Sequence, residues 1–112
     1  MRREALKLLW VMQEPGNAVA TFLKGKTLAV YQADLMFRSA VERQLFIVGE
    51  ALSQLSRWDE KLANSFEDKR GIIGFRNMLA HGYADVVDER VYGIVTTDLP
   101  ELMVKVEALL NG

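Results

Sequence analysis

The chain has 112 residues, of which 50% are hydrophobic and 26% charged, a composition that fits one compact globular domain over residues 1–112. It contains no cysteine, which excludes disulfide bonds, thiolate metal sites and a thiol nucleophile and is typical of a protein of the reducing cytoplasm. It contains 14 Lys and Arg residues and 15 Asp and Glu residues. The resulting formal net charge of -1 excludes the global positive field of a non-specific nucleic-acid binder. Any contact with a nucleic acid must therefore be local.

The apolar runs of the chain are short. None reaches the roughly 20 residues that a membrane-spanning helix needs, and the N-terminal stretch MRREALKLLWVMQEPG lacks the continuous apolar region of a signal peptide. We therefore expect a protein that makes no contact with a membrane and is not exported.

The first predicted helix covers residues 3–14, because its apolar residues recur at spacings of three and four. The sequence EPGN should end it, since Pro15 cannot donate a backbone hydrogen bond and Gly16 accepts unusual dihedrals. Asn17 would then cap a short helix over residues 17–23. The side chains expected to face inward from the first helix are Leu6, Leu9, Trp10 and Met12.

The second region, residues 28–55, is predicted to form the longest helix of the chain. It carries two neighbouring apolar stripes, which indicates that two other elements pack against it. One stripe consists of Leu28, Tyr31, Leu35, Val41, Leu45, Val48, Leu52 and Leu55. The other consists of Val30, Ala33, Phe37, Ala40, Ile47 and Ala51.

A polar connection, SRWDEKLANSFEDK, leads to a further helix over residues 66–81, which opens with the acidic Glu67 and Asp68. The stretch ADVVD joins it to a last helix over residues 89–110, which Pro100 should bend. The sequence thus predicts an all-α protein, an up-and-down bundle of four to five helices. Sustained strand alternation is absent from the sequence.

Two other patterns contain residue types that are found in ligand sites. The sequence GKT, ending at Thr27, resembles the end of a phosphate-binding loop, but Ala20 stands where that motif needs glycine, which excludes it. Asp85, Asp88 and Glu89 could hold Mg²⁺ in principle, yet acidic residues are expected at the start of a helix for its dipole alone. We therefore predict no metal site and no cofactor.

The stretch RNMLAHGY, residues 76–83, contains the single histidine of the chain. Asn77 and His81 are four residues apart and stack on one line of the predicted helix, beside the line of Arg76. Gly82 suits the position just after a helix, where a left-handed residue turns the chain. These residues could form a site, but their spacing alone favours an ordinary helix end, because histidine near a helix C-terminus is stabilised by the dipole.

The pattern of RNMLAHGY, an Arg followed by Asn and then by His and Tyr, resembles the signature of HEPN domains, specifically HepT-type toxins. The segments AVERQLFIVGEALSQL and VYGIVTTDLPEL are similar to the long helix and the last helix of that family, so the resemblance covers most of the chain. The resemblance implies a helical bundle that forms a homodimer and a metal-independent endoribonuclease with a cleft between two protomers. It gives Arg76 and His81 the catalytic positions and Asn77 a supporting one.

The chemistry of these residue types suits RNA cleavage by a ribose 2′-hydroxyl. The imidazole of His81 can take the hydroxyl proton, and the guanidinium of Arg76 can grip phosphate oxygens as charge develops. A two-fold dimer would bring a second His81 to serve as the acid. Lys69 and Arg70 would add positive charge for RNA, although they could also be an ordinary solvated face.

Tyr83 matches the terminal tyrosine of the family signature. The resemblance implies a type VII toxin–antitoxin system, in which a cognate minimal nucleotidyltransferase antitoxin silences the toxin by AMPylation of that tyrosine. An alternative keeps the fold but makes the chain a non-catalytic nucleotide-binding or helper subunit of a nucleotidyltransferase. A third reading, a purely structural helical dimer, predicts that loss of Arg76 or His81 changes no phenotype.

Overall fold

The computed structural model describes residues 1–82 and 86–112, and the regular structure within these two ranges is helical throughout. The predicted all-α class is therefore confirmed. No helix in the described ranges is long and apolar enough to span a membrane. The helices are α1 (Arg3–Leu23), α2 (Leu28–Ala33), α3 (Leu35–Trp58), α4 (Glu60–Asn64), α5 (Lys69–His81), α6 (Asp88–Gly93) and α7 (Leu99–Asn111), with a π-helical turn (Ile94–Asp98) joining the last two.

Helix α1 runs without a break through the EPGN sequence, so the prediction of two helices over residues 3–23 was wrong. Pro15 and Gly16 are both buried inside the helix. At Gly16 the side chain of Met103 comes so close that a Cβ atom would lie 2.2 Å from its sulfur. The glycine thus lets α7 pack tightly on α1, and this packing offsets the hydrogen bond that proline removes.

The buried face of α1 is narrower than the sequence suggested. Leu9 and Met12 are fully buried as predicted, whereas Leu6 and Trp10 are 40% and 55% exposed, so their predicted inward orientation was wrong. Ala5 is fully buried in their place, because it is in line with Leu9 one turn later. The helix therefore leaves a large aromatic side chain at the surface.

The predicted long helix over residues 28–55 is divided at Asp34. The carboxylate of Asp34 accepts a hydrogen bond from the backbone N–H of Phe37 at 3.0 Å, which caps the start of α3. Thr27 caps α2 in the same way, through the N–H of Val30 at 3.2 Å. Because the break changes the direction of the stripes, Leu35 is 68% exposed although it was predicted to face the core.

Helix α3 is the centre of the fold, and it packs against both α1 and α5. This confirms the prediction that the long helix has two neighbours. Its core-facing residues recur every three or four positions, as a helix with one buried stripe requires. They are Val41, Leu45, Val48, Leu52 and Leu55, with Phe37 and Ala51 beside them.

The segments on either side of α5 differ in detail from the prediction. The polar connection contains the short helix α4, capped by Asp59 through the N–H of Leu62 at 3.0 Å. Helix α5 begins at Lys69, three residues later than predicted. In the last segment the π-helical turn immediately precedes Leu99 and Pro100, where proline cannot supply the usual backbone hydrogen bond.

Candidate functional site

Helix α5 places the polar residues of the RNMLAHGY stretch at the side of α3. Ile72 and Phe75 are buried in the core and fix the rotation of α5. On α3, Gly49 leaves room for Arg76, since a Cβ atom there would lie 2.7 Å from the Cβ of Arg76. The two helices can therefore approach closely at the level of Arg76, and a larger residue at position 49 would displace it.

The guanidinium of Arg76 is bound by Glu50, the residue that follows Gly49. Its Nε donates to Glu50 Oε2 at 2.7 Å and its Nη2 to the same oxygen at 2.5 Å. The hydrogen bonds from Arg76 hold the pKa of the Glu50 carboxyl below its ordinary value, against the opposite effect of burial. Glu50 therefore remains ionised near neutral pH and keeps Arg76 oriented.

Two further contacts fix the plane of the Arg76 side chain. Its Nη1 donates to the side-chain oxygen of Asn77 at 3.1 Å. Its Cζ lies 5.6 Å from the ring centroid of Phe46 on α3, within the range of a cation–π contact. The side chain of Asn77 thus contacts Arg76, whereas the sequence placed Asn77 on the line of His81.

His81 is the last residue of α5, as the sequence predicted. Its side chain is exposed. Gly82 follows with a φ of 148°, a value that favours glycine, and its N–H donates to the carbonyl of Met78 at 3.0 Å. The imidazole is therefore presented to solvent, five residues after Arg76 on the same helix. Tyr83, predicted to be the modified residue, lies outside the described residues.

Lys69 and Arg70, predicted as RNA contacts, lie in the first turn of α5. The Nζ of Lys69 donates to the side-chain oxygen of Asn64 at 2.6 Å, while Arg70 is exposed. Both line a shallow hollow of about 480 Å³ that extends along α5 as far as Asn77. The structure thus connects these two cations with the residue that contacts Arg76.

Comparisons with known proteins agree with the resemblance seen in the sequence. A family model described as Ribonuclease HepT-like matches residues 12–109. The chain belongs to the HepT-like ribonuclease family. It is also 30% identical over 112 residues to a Methanocaldococcus jannaschii protein named "Putative RNase MJ1380", an alignment that covers 95% of this chain and 96% of that protein. No solved structure matches the chain significantly.

Family membership confirms the predicted enzyme class of this HepT-like chain, an endoribonuclease. What sequence reasoning missed is the role of Glu50. Glu50 lies in the segment that resembles the family's long helix, but its ion pair joins residues 26 positions apart in the chain. Helical periodicity gives no information about such a pair, because it describes each helix separately.

The geometry of this HepT-like site suits a reaction at a phosphodiester. A guanidinium held in a fixed plane can bind phosphate oxygens through the N–H groups that Glu50 and Asn77 leave open. An exposed imidazole can accept or donate a proton. Within residues 1–82 and 86–112, no group of three or more acidic or histidine side chains is arranged to hold a metal ion.

Proposed function

We propose that the chain is a metal-independent endoribonuclease toxin of a type VII toxin–antitoxin system, acting in the cytoplasm. The observation that carries this proposal is the Arg76 guanidinium, held in place by Glu50 and Asn77 in the C-terminal half of α5, the helix that ends at the exposed His81. Its supporting context is the HepT-like ribonuclease family. The substrate is RNA, because the proposed nucleophile is a ribose 2′-hydroxyl.

In the proposed reaction the 2′-hydroxyl attacks the adjacent phosphorus and the bond to the 5′-oxygen breaks. His81 accepts the proton of the 2′-hydroxyl. Arg76 donates hydrogen bonds to the phosphate oxygens as negative charge develops on them. The leaving 5′-oxygen takes a proton from an acid, and the RNA ends as a 2′,3′-cyclic phosphate and a 5′-hydroxyl.

A homodimer supplies that acid in our proposal. Each chain has a single histidine, so a second His81 comes from the symmetry-related protomer. A two-fold arrangement also doubles the positive charge of Lys69 and Arg70 near the RNA. Sedimentation of the purified chain tests this step: a dimer at micromolar concentration is expected, and a monomer that cleaves RNA at full rate contradicts it.

Regulation in this proposal depends on Tyr83 and on a cognate minimal nucleotidyltransferase antitoxin. AMPylation of the phenol would add a phosphate and a purine two residues after His81 and block the RNA cleft. Mass spectrometry of the chain co-expressed with the nucleotidyltransferase should find AMP on Tyr83. A fully neutralised chain with unmodified Tyr83 would refute this mode of silencing.

Cleavage itself is tested with purified protein, structured RNA and EDTA. We expect cleavage that EDTA does not inhibit, with 2′,3′-cyclic phosphate ends, and none with His81→Ala. Equal RNA integrity and equal growth arrest for wild type and His81→Ala would overturn the proposal. That result would favour the non-catalytic nucleotide-binding or helper subunit.

A further inference from the structure

A cleft of about 440 Å³ opens between α3 and the C-terminal half of α5, next to the proposed reaction centre. Its volume lies within the roughly 300–1,000 Å³ of typical small-molecule sites. The proposed cleavage chemistry uses none of the residues that form it. The lining residues are Ser39, Glu42, Arg43, Phe46, Leu79 and Ala80.

Four of these residues lie on one face of α3, and three of the four are polar. Ser39, Glu42, Arg43 and Phe46 follow the spacing of three and four that places side chains on one side of a helix. Among the described residues, the ion pair of Arg76 with Glu50 is the only one, so neither Glu42 nor Arg43 is engaged in another. The cleft therefore presents a carboxylate and a guanidinium that an incoming group can bind.

Phe46 connects the cleft to the reaction centre. It lines the cleft, and its ring centroid lies 5.6 Å from the guanidinium carbon of Arg76. A phosphate bound by Arg76 is thus one side chain away from the cleft. We expect a base on one of the two riboses that flank a phosphate bound by Arg76 to reach this cleft, where the aromatic ring of Phe46 offers a surface for stacking.

The polar groups of the cleft differ in how well they suit the four bases. A carboxylate only accepts hydrogen bonds, so its two oxygens match two adjacent N–H donors. Guanine has such a pair on its Watson–Crick edge, whereas the other three bases place an acceptor beside the donor. Arginine is the usual partner of guanine O6 and N7. Glu42 and Arg43 together therefore match guanine better than they match adenine, cytosine or uracil.

We propose that this cleft binds a guanine base next to the scissile phosphate, with Glu42 accepting from its N–H groups and Arg43 donating to its acceptor atoms. This inference rests on the proposed function, since it names the RNA sequence that the same site prefers. Burial raises the pKa of the Glu42 carboxyl above its ordinary value, and the charge of Asp88 adds to this effect. A bound pair of N–H donors would compensate the buried charge.

Binding without cleavage tests the cleft on its own. The probes are the four nucleoside 3′-monophosphates, titrated into His81→Ala protein and followed by NMR. Guanosine monophosphate should bind about tenfold more tightly than the others, in line with one bidentate contact to a base. With Glu42→Gln added, this ratio should fall to about one, because the amide offers a donor where guanine has one. Equal affinities for all four nucleotides in the His81→Ala protein that retains Glu42 would overturn the inference.

Cut-site mapping with randomised RNA tests whether the cleft selects guanine during cleavage. Wild type should cut about ten times more often beside guanine, on one side of the cut, than beside any other base. Glu42→Gln should lose this preference and Arg43→Gln should reduce it. The control Glu107→Gln, at an exposed position of α7 outside the cleft, should keep the wild-type pattern.

The outcomes separate this inference from the proposed function. Cleavage with no base preference in wild type, or an unchanged preference in Glu42→Gln, refutes the guanine cleft and leaves the ribonuclease proposal standing. Selective binding of guanosine monophosphate by a protein that never cuts RNA refutes the ribonuclease proposal and supports the cleft.

Discussion

At the start of α5, Asp68 lies among other carboxylates, whereas near its end Arg76 is bound to one. Burial and then the negative charges of Glu101 and Asp98 raise the pKa of Asp68 to about 6. At the other end the hydrogen bonds from Arg76 lower the pKa of Glu50. One helix thus carries an unfavourable cluster of like charges and a favourable pair of opposite charges.

The difference between the two regions shows how a charged group is prepared to bind a ligand. The carboxylates near Asp68 repel one another, so each disfavours the ionisation of its neighbours. Arg76 is held by Glu50, Asn77 and Phe46, so its remaining N–H groups have a fixed direction. A cation prepared in this way loses little freedom when it binds a charged transition state.

The largest effect should come from removing His81, the proposed proton acceptor at the C-terminal end of α5. His81→Ala should lower the rate of RNA cleavage by roughly 10²–10⁴-fold, the usual contribution of general acid–base catalysis. Because His81 is exposed and outside the core, the melting temperature should stay close to that of wild type. Single-turnover cleavage measures the rate, and calorimetry measures the melting temperature. A folded His81→Ala protein with an undiminished rate would remove His81 from the mechanism.

Replacing the guanidinium while keeping its charge should have the next largest effect. Arg76→Lys should slow cleavage by roughly 10²-fold, because an ammonium group cannot reproduce the planar fork that binds Glu50 and, in the proposed mechanism, phosphate. The matched control is Arg70→Lys in the first turn of α5, where we expect a change of less than about threefold, as for an exposed charge. Equal rates for the two lysine variants would mean that charge alone matters.

Neutralising the partner of Arg76 should have a smaller effect on rate. Glu50→Gln should lower kcat by about tenfold, since each factor of ten corresponds to about 1.4 kcal/mol and a single charged hydrogen bond is of that size. Its stability should change little, because the pair is partly exposed, with 26% and 29% of the two side chains accessible. A faster Glu50→Gln enzyme would show instead that Glu50 competes with phosphate for Arg76.

The smallest effect concerns stability at the N-terminal end of α5. Because the pKa of Asp68 is raised in the folded state, the free energy of unfolding should decrease as pH rises from about 4 to about 6. Asp68→Asn removes the destabilising charge, so the variant should melt a few degrees higher than wild type at pH 7. At pH 4 the two proteins should melt together. A lower melting temperature of Asp68→Asn at pH 7 would contradict the described electrostatics.

The parts of the fold that follow from local patterns were predictable. The helical period identified Val41, Leu45, Val48 and Leu52 as core residues, and Gly82 indicated that the helix ends at His81. These features depend on residues within one or two turns of each other.

The features that escaped prediction depend on contacts between distant segments. Helix α1 continues through Pro15 because α7 packs on Gly16. The pairing of Glu50 with Arg76 requires α3 and α5 to meet at Gly49. The break before α3 could have been predicted, because Asp34 is a residue type that commonly caps helices. It was missed because the apolar stripe continues across Asp34.

A double-mutant cycle tests most directly whether Glu50 acts through Arg76. The measurement is the single-turnover rate of RNA cleavage by wild type, Glu50→Gln, Arg76→Lys and the double variant. If Glu50 serves to orient the guanidinium, the double variant should be no slower than Arg76→Lys alone. Losses that multiply, so that the double variant is about tenfold slower again, would show that the two residues act independently and would contradict the account.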